Sequence, residues 1–214
     1  MTAEPRKTRR RDAAASRADI LAAAMAEFAE RGHGGARIDR IAAASGMSKP
    51  MLYSHFGDKD ALYAAALREA YVQIRAGETD LRLDELAPEV AIRALLRFTL
   101  DHFRDKPWFV SMLNTENLRG GATVREIIDL PEIQSNLTGK VRTVLARGVA
   151  EGTFRDGIDP VDLYLTIASL CYFPVSNRHT MRVVFDRDVE DAAWRERRLG
   201  QLGDMILGWL RPAP

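Results

Sequence analysis

Apolar residues return along this 214-residue chain with helical rather than strand spacing. Ile20, Leu21, Ala24, Met25 and Phe28 form one stripe. It opens with Ser16-Arg17-Ala18-Asp19, in which the Asp can return a bond to a Ser cap, and Gly32 stops it. Ile38, Ile41 and Ala42 give a short second helix, ended by Ser45-Gly46. Ser48 can N-cap a third, with Pro50 in its first turn and Leu52 and Phe56 turned inward. A longer helix follows Gly57-Asp58 and runs to about Gly77. After a loop with Pro88, the spacing predicts a helix over 89–105 with Val90, Leu95, Phe98 and Phe103 inside. Pro107-Trp108-Phe109 opens another, to about Leu118, before Gly120-Gly121. Residues 122–152 read as helical with an interruption near Pro131. A helix starting at Pro160 has almost no polar face, and the last one covers about 189–211. No strand-like alternation of useful length occurs, so the fold class expected is all-α.

Residues 38–59, IDRIAAASGMSKPMLYSHFGDK, carry the chemistry. Two short helices joined by a Gly-containing turn form a helix-turn-helix, whose second helix enters the DNA major groove. Its outer face and start hold Lys49, Met51, Tyr53, Ser54 and His55. At these residues the chain resembles the TetR family of bacterial transcriptional regulators. The matching residues are Arg37-Ile38-Asp39-Arg40-Ile41-Ala42, Gly46-Met47-Ser48-Lys49, Leu52-Tyr53-Ser54-His55-Phe56 and Asp58-Lys59-Asp60-Ala61-Leu62. The resemblance covers roughly residues 15–65 and is specific as a combination. Arg37 departs from it. Many relatives have a Thr there that caps the helix and touches phosphate; arginine reaches phosphate but cannot cap in that way.

Residues 1–15 lack apolar periodicity and read as a flexible basic arm; the resemblance implies a three-helix helix-turn-helix DNA-binding domain (16–62) and a larger helical domain for ligand binding and dimerisation (63–214). The expected DNA-binding residues are Arg37, Ser48, Lys49, Pro50, Met51, Tyr53, Ser54, His55 and Lys59. Lys59 is locally unfavourable at a positive helix N-terminus, and a phosphate there would turn the same groups into an anion site. The basic side chains Arg6, Lys7, Arg9, Arg10 and Arg11 either stay solvated or lie along DNA. Net charge is +1, but its distribution is uneven: +3 over residues 1–60 and −2 over 61–214. The positive charge sits with the reading helix.

The two apolar C-terminal helices hold more apolar surface than a monomer of this size readily covers. A two-fold four-helix bundle accounts for both, with Leu163, Ile167, Leu170, Leu199, Leu202, Ile206 and Trp209 at the dimer interface. Polar side chains inside apolar stretches mark a small-molecule pocket lined by Phe103, Trp108, Asn114, Asn117, Tyr172, Phe173 and Asn177. Its effector is expected to be apolar or aromatic. His33, in a Gly-rich loop, is expected to be exposed.

One cysteine, Cys171, excludes an internal disulfide, and the longest apolar run, residues 163–175, is too short to span a bilayer. No Gly-x-Ser-x-Gly or His-Glu-x-x-His occurs, and four scattered histidines with one cysteine make a metal site improbable. The expectation is a cytoplasmic homodimeric repressor, neither an enzyme nor a holder of a cofactor, released from a palindromic double-stranded operator by a small molecule. The alternative is a helical binding protein or enzyme that keeps the helix-turn-helix only as a structural unit.

Overall fold

The computed structural model describes residues 5–127 and 129–212, with side chains except at 5–14 and 130–135. Among them are ten α-helices and no strand. They are α1 (Pro5–Gly35), α2 (Ile38–Ser45), α3 (Lys49–Phe56), α4 (Lys59–Asp80), α5 (Pro88–Asp105), α6 (Pro107–Leu118), α7 (Leu130–Ala150), α8 (Pro160–Ser176), α9 (Arg178–Phe185) and α10 (Ala192–Leu210). The all-α expectation holds. No described helix is long and apolar enough to cross a membrane.

The chain forms two compact units: residues 1–72 with 111–130, and 73–110 with 131–214. In the first, Ile20, Ala24 and Phe28 of α1 are fully buried with Ile41 of α2, Leu52 of α3 and Leu62, Tyr63 and Leu67 of α4. Burying each of the Ile, Leu and Phe side chains contributes about 1.5–3 kcal/mol, so the short α2 and α3 depend on this core rather than on propensity. α1 starts at Pro5, not at Ser16. The intervening Arg- and Ala-rich residues are good helix formers, and nothing in them stops a helix. Residues 1–4 and the side chains of Arg6, Lys7, Arg9, Arg10 and Arg11 lie outside the described set. Gly32 breaks the helix at φ 64°, as its position predicts.

The second unit is built around α5. Its buried face, from Ala91 and Ile92 through Leu95, Leu96, Thr99 and Leu100 to Phe103, packs on α8 and α10. Asp159 and Asp191 cap those two helices, each accepting two backbone N–H bonds. α4 continues past Gly77 to Asp80, and the glycine lets the Phe98 ring pack close: a Cβ there would come within 2.7 Å of ring carbons. Val90, expected inside, is exposed.

The expected interface residues need correction. Leu163, Ile167, Leu199, Leu202 and Ile206 are buried within the single chain, and Leu170 is half-buried, so most of this set is core. The apolar side chains that α8 and α10 leave exposed are Val161, Leu165, Phe173, Met205 and Trp209. Periodicity identifies a stripe, but on a helix apolar nearly all round it does not say which side meets its own chain. α9 is a further element that the sequence reading omits.

Candidate nucleic-acid interface and effector site

The reading head is held from behind by one carboxylate. Glu27 of α1 accepts the backbone N–H of Arg37 at 3.0 Å and Arg40 Nε at 2.7 Å, and Arg40 Nη2 lies 2.6 Å away. Arg37 occupies the N-cap position of α2 without a side-chain cap, as its chemistry requires. Glu27 instead satisfies, from a neighbouring helix, the Arg37 N–H that precedes α2, the bond that the glutamate of a capping box makes. Arg40, first among the causes, holds the Glu27 carboxyl below its ordinary pKa although burial opposes it. Its other bond, Arg40 Nη2 to Gly35 O at 2.8 Å, fastens the α1–α2 turn. Sequence reasoning missed Glu27, a buried carboxylate beside Phe28 of the apolar stripe.

Gly46 then turns the chain at φ 68°, donating to Ala42 O and Ala43 O, while Met47 N bonds Ala42 O at 3.1 Å. This turn fixes α3 with Leu52 inward and Lys49, Pro50, Met51, Tyr53 and Ser54 exposed; His55 is half-buried. Phe56 is only half-buried and carries the Arg17 guanidinium 4.9 Å from its ring centre. Ser48 sits at the N-cap position, but its hydroxyl makes no cap bond. Lys49 pairs with Asp39 across the turn, both largely in solvent. Asp58 caps α4 by accepting Ala61 N–H at 2.8 Å, which places Lys59 at the first helical position beside a surface N-terminus. Of the expected DNA-binding set, all but half-buried His55 and Lys59 are exposed; Arg37 to His55 lie on the helix-turn-helix, and Lys59 opens α4.

Two family profiles match this chain: bacterial regulatory proteins of the tetR family over residues 20–66, and the tetracyclin repressor-like C-terminal domain over residues 88–206. The chain belongs to the TetR family. It is 37% identical over 210 residues to the HTH-type transcriptional repressor NicS of Pseudomonas putida, covering 97% of this chain and 99% of that protein. The HTH-type transcriptional regulator RutR of Escherichia coli K12 is 31% identical, covering 95% and 94%. A solved TetR-family regulatory protein from Rhodococcus RHA1 shares the fold at a TM-score of 0.69 with 20% identity, over 93% of this chain and 98% of that one. This chain is thus a helix-turn-helix transcriptional regulator, of a family that binds DNA operators and small-molecule effectors as dimers.

The residues expected to line an effector pocket in this TetR-family chain are divided between the two units. Asn114 and Asn117 fall in the first compact unit, and Asn117 is exposed with its amide donating to Leu113 O at 2.9 Å. Asn177 spends its amide on Phe173 O, also at 2.9 Å, and Phe173 itself is exposed. Both asparagines thus finish helix ends. Phe103 and Tyr172 do meet, edge to face with centroids 5.5 Å apart, and Trp108 stands edge-on to Phe109 at 6.0 Å.

Beside these rings the second unit buries a polar cluster that the sequence did not reveal. Arg75 of α4 donates from Nη2 to Tyr164 OH at 2.8 Å, and its Nη1 bonds Glu78. Burial pushes the Glu78 carboxyl up to about 7, against the pull of Arg75 and Lys140. His102 on α5 is pushed down to about 4, first by burial and then by the charges of Lys106 and Arg75. Arg75 Nε, Glu78 Oε1 and His102 Nε2 are buried without a hydrogen-bond partner.

The first unit has its own ring cluster. His33, expected to be exposed, is half-buried: it stacks on Phe28 at 6.1 Å and stands edge-on to Tyr63 at 5.0 Å. Its Nδ1 lies 2.7 Å from Arg119 Nη1 and its Nε2 2.7 Å from Asp60, the latter contact lacking hydrogen-bond alignment. Burial, first, and Arg119 hold it below its ordinary pKa. Among the described residues no group of acidic, histidine and cysteine side chains could hold a metal ion.

Proposed function

We propose that this chain is a repressor that holds a palindromic operator as a homodimer in the cytoplasm and releases it when a small molecule binds the second compact unit. The exposed polar face of α3 carries the reading, braced by the Gly46 turn and the Glu27 clamp. Lys49, Pro50 and Met51, at the start of α3, reach base edges. Arg37, Ser48, Tyr53, Ser54, His55 and Lys59 contact phosphates. The Lys49–Asp39 pair is exposed and therefore weak, so DNA displaces it at little cost. The relatives NicS and RutR, named as a repressor and a regulator, support the same role.

Dimerisation uses the solvent faces of α8 and α10, through Val161, Leu165, Phe173, Met205 and Trp209. Two-fold symmetry then sets half-sites about one helical turn apart, or a multiple of it. Switching runs through α4, one helix of 22 residues whose first part belongs to the first unit and whose end, with Arg75 and Glu78, belongs to the second. A ligand that prefers one arrangement of this helix shifts the population of DNA-competent dimers.

The test is a titration of the protein with the DNA upstream of its own gene at several salt concentrations. Lys59→Ala should weaken binding to all sequences alike and reduce the salt slope by about one. Unchanged affinity and slope would remove Lys59 from the interface. No preference for any upstream fragment over random DNA would contradict the reading as a whole.

A further inference from the structure

Three arginines of this chain meet carboxylates through one edge of the guanidinium. Arg68 engages Asp129, Arg195 engages Asp101 and Arg40 engages Glu27, each through Nε and Nη2 together. These two nitrogens form one edge of the planar guanidinium, the edge matched to the two oxygens of a carboxylate. Arg75 presents the same edge differently. Its Nη2 holds the Tyr164 hydroxyl at 2.8 Å, while Nε, though buried, has no partner. Glu78 does not fill that edge, because it binds at Nη1 on the opposite corner.

The surroundings fit an anion with an aromatic body. The guanidinium lies 5.1 Å from the Tyr164 ring centre, which fixes its plane. Lys140 adds a second positive charge beside Glu78 and donates to Thr79 O at 3.2 Å. Burial has already weakened the hold of Glu78 on its charge, so an arriving anion meets little opposition. Arg75 is also felt at His102, whose Nε2 is unpartnered and whose ring touches Phe98 and Phe109 at 5.7 and 5.2 Å. Phe103 stacks on Phe109 and meets Tyr172, extending the aromatic wall. Buried polar atoms in native interiors are nearly always satisfied, so three orphans on neighbouring side chains mark a place where something polar binds.

We propose that the effector is a small aromatic monocarboxylate, its carboxylate taken by the Nε–Nη2 edge of Arg75 with Tyr164, and its ring held among Phe98, Phe103, Phe109 and Tyr172. This assignment rests on the effector-responsive reading above and names the chemical class that the site selects. Glu78 offsets the Arg75 charge only in part when the site is empty. His102 Nε2 supplies a further polar contact, for a ring substituent.

Calorimetry on the full-length protein with benzoate, phenylacetate and indole-3-acetate, each beside its neutral amide, tests this. At least one acid should bind with a submillimolar Kd, and its amide at least tenfold more weakly. Arg75→Lys, which keeps the charge and loses the edge, should weaken that acid tenfold or more without changing the helical circular dichroism. Glu78→Gln should tighten it severalfold, and this variant decides the matter if Arg75→Lys does not fold. The proposal is overturned if none of the three acids binds at millimolar concentration, which would leave water as the partner of the orphaned atoms. It is overturned equally if Arg75→Lys binds the acid as well as the parent does, or if Glu78→Gln weakens it. An amide that binds in place of its acid would end the carboxylate assignment while leaving an effector-responsive regulator standing.

Discussion

Glu27 and Glu78 are both buried glutamates paired with an arginine, yet their surroundings drive them in opposite directions. Glu27 accepts a backbone N–H and an Arg40 edge, so its ionised form is the stable one and its pKa falls. Glu78 has one oxygen on Arg75 and the other unpartnered, and desolvation outweighs the pair. A carboxylate whose bonds are complete is a structural clamp, here fixing the start of α2. One left half-satisfied stores free energy that a ligand can release. The Glu27 clamp is thus complete in the free protein, whereas the Arg75 cluster keeps three buried polar atoms without partners.

The largest effect expected of this contrast is on stability. Glu27→Gln should cost about 1.5–3 kcal/mol at pH 7, because it removes charge-assisted bonds that hold the α1–α2 turn. Urea unfolding measures it; a loss within error would mean that the clamp is ornamental.

Next in size is a pH effect with two signs. Glu78 has a native pKa raised from 4.5 to about 7, so its contribution to stability is full below about 4.5 and is lost as pH rises through 7. His102 is lowered from 6.5 to about 4, so its contribution is present above 6.5 and is lost as pH falls through 4. Between these limits the two slopes oppose each other. In Glu78→Gln, stability should rise with pH from 4 to 6.5, and in His102→Gln it should fall from about 4.5 to 7, each by at most about 1.4 kcal/mol per pH unit. Equal slopes in both variants would contradict the assignment.

The smallest expected change is that of Glu78→Gln itself at pH 7. The neutral carboxyl is already half-populated there, so the neutral isostere should alter stability by less than about 1 kcal/mol. A cost as large as that of Glu27→Gln would erase the distinction between the two sites.

Much of this was legible in the sequence, for identifiable reasons. The helix-turn-helix announced itself because its parts are local: a Gly that takes positive φ, a Pro in a first turn, apolar residues four apart. Glu27 and the Arg75 cluster were not legible, because their partners lie 10 to 89 residues away. Arg75 and Glu78, three apart on a helix, look in sequence like any surface ion pair. Asn117 and Asn177 were legible as polar residues in apolar company, but that pattern also describes helix ends, where both are found. α9 escaped because Asn177, caught between Pro174 and Arg178, reads as a loop when it joins two helices back to back.

The central claim is that ligand and operator compete through one protein. The direct measurement is calorimetry of an aromatic monocarboxylate that binds the free dimer, repeated with the dimer saturated by its operator. Linkage requires operator to weaken the acid by the same factor as the acid weakens operator, and a coupling of about 1–3 kcal/mol makes that factor roughly 5 to 150. Equal affinity of the acid for free and operator-bound protein, however tight, would contradict the account.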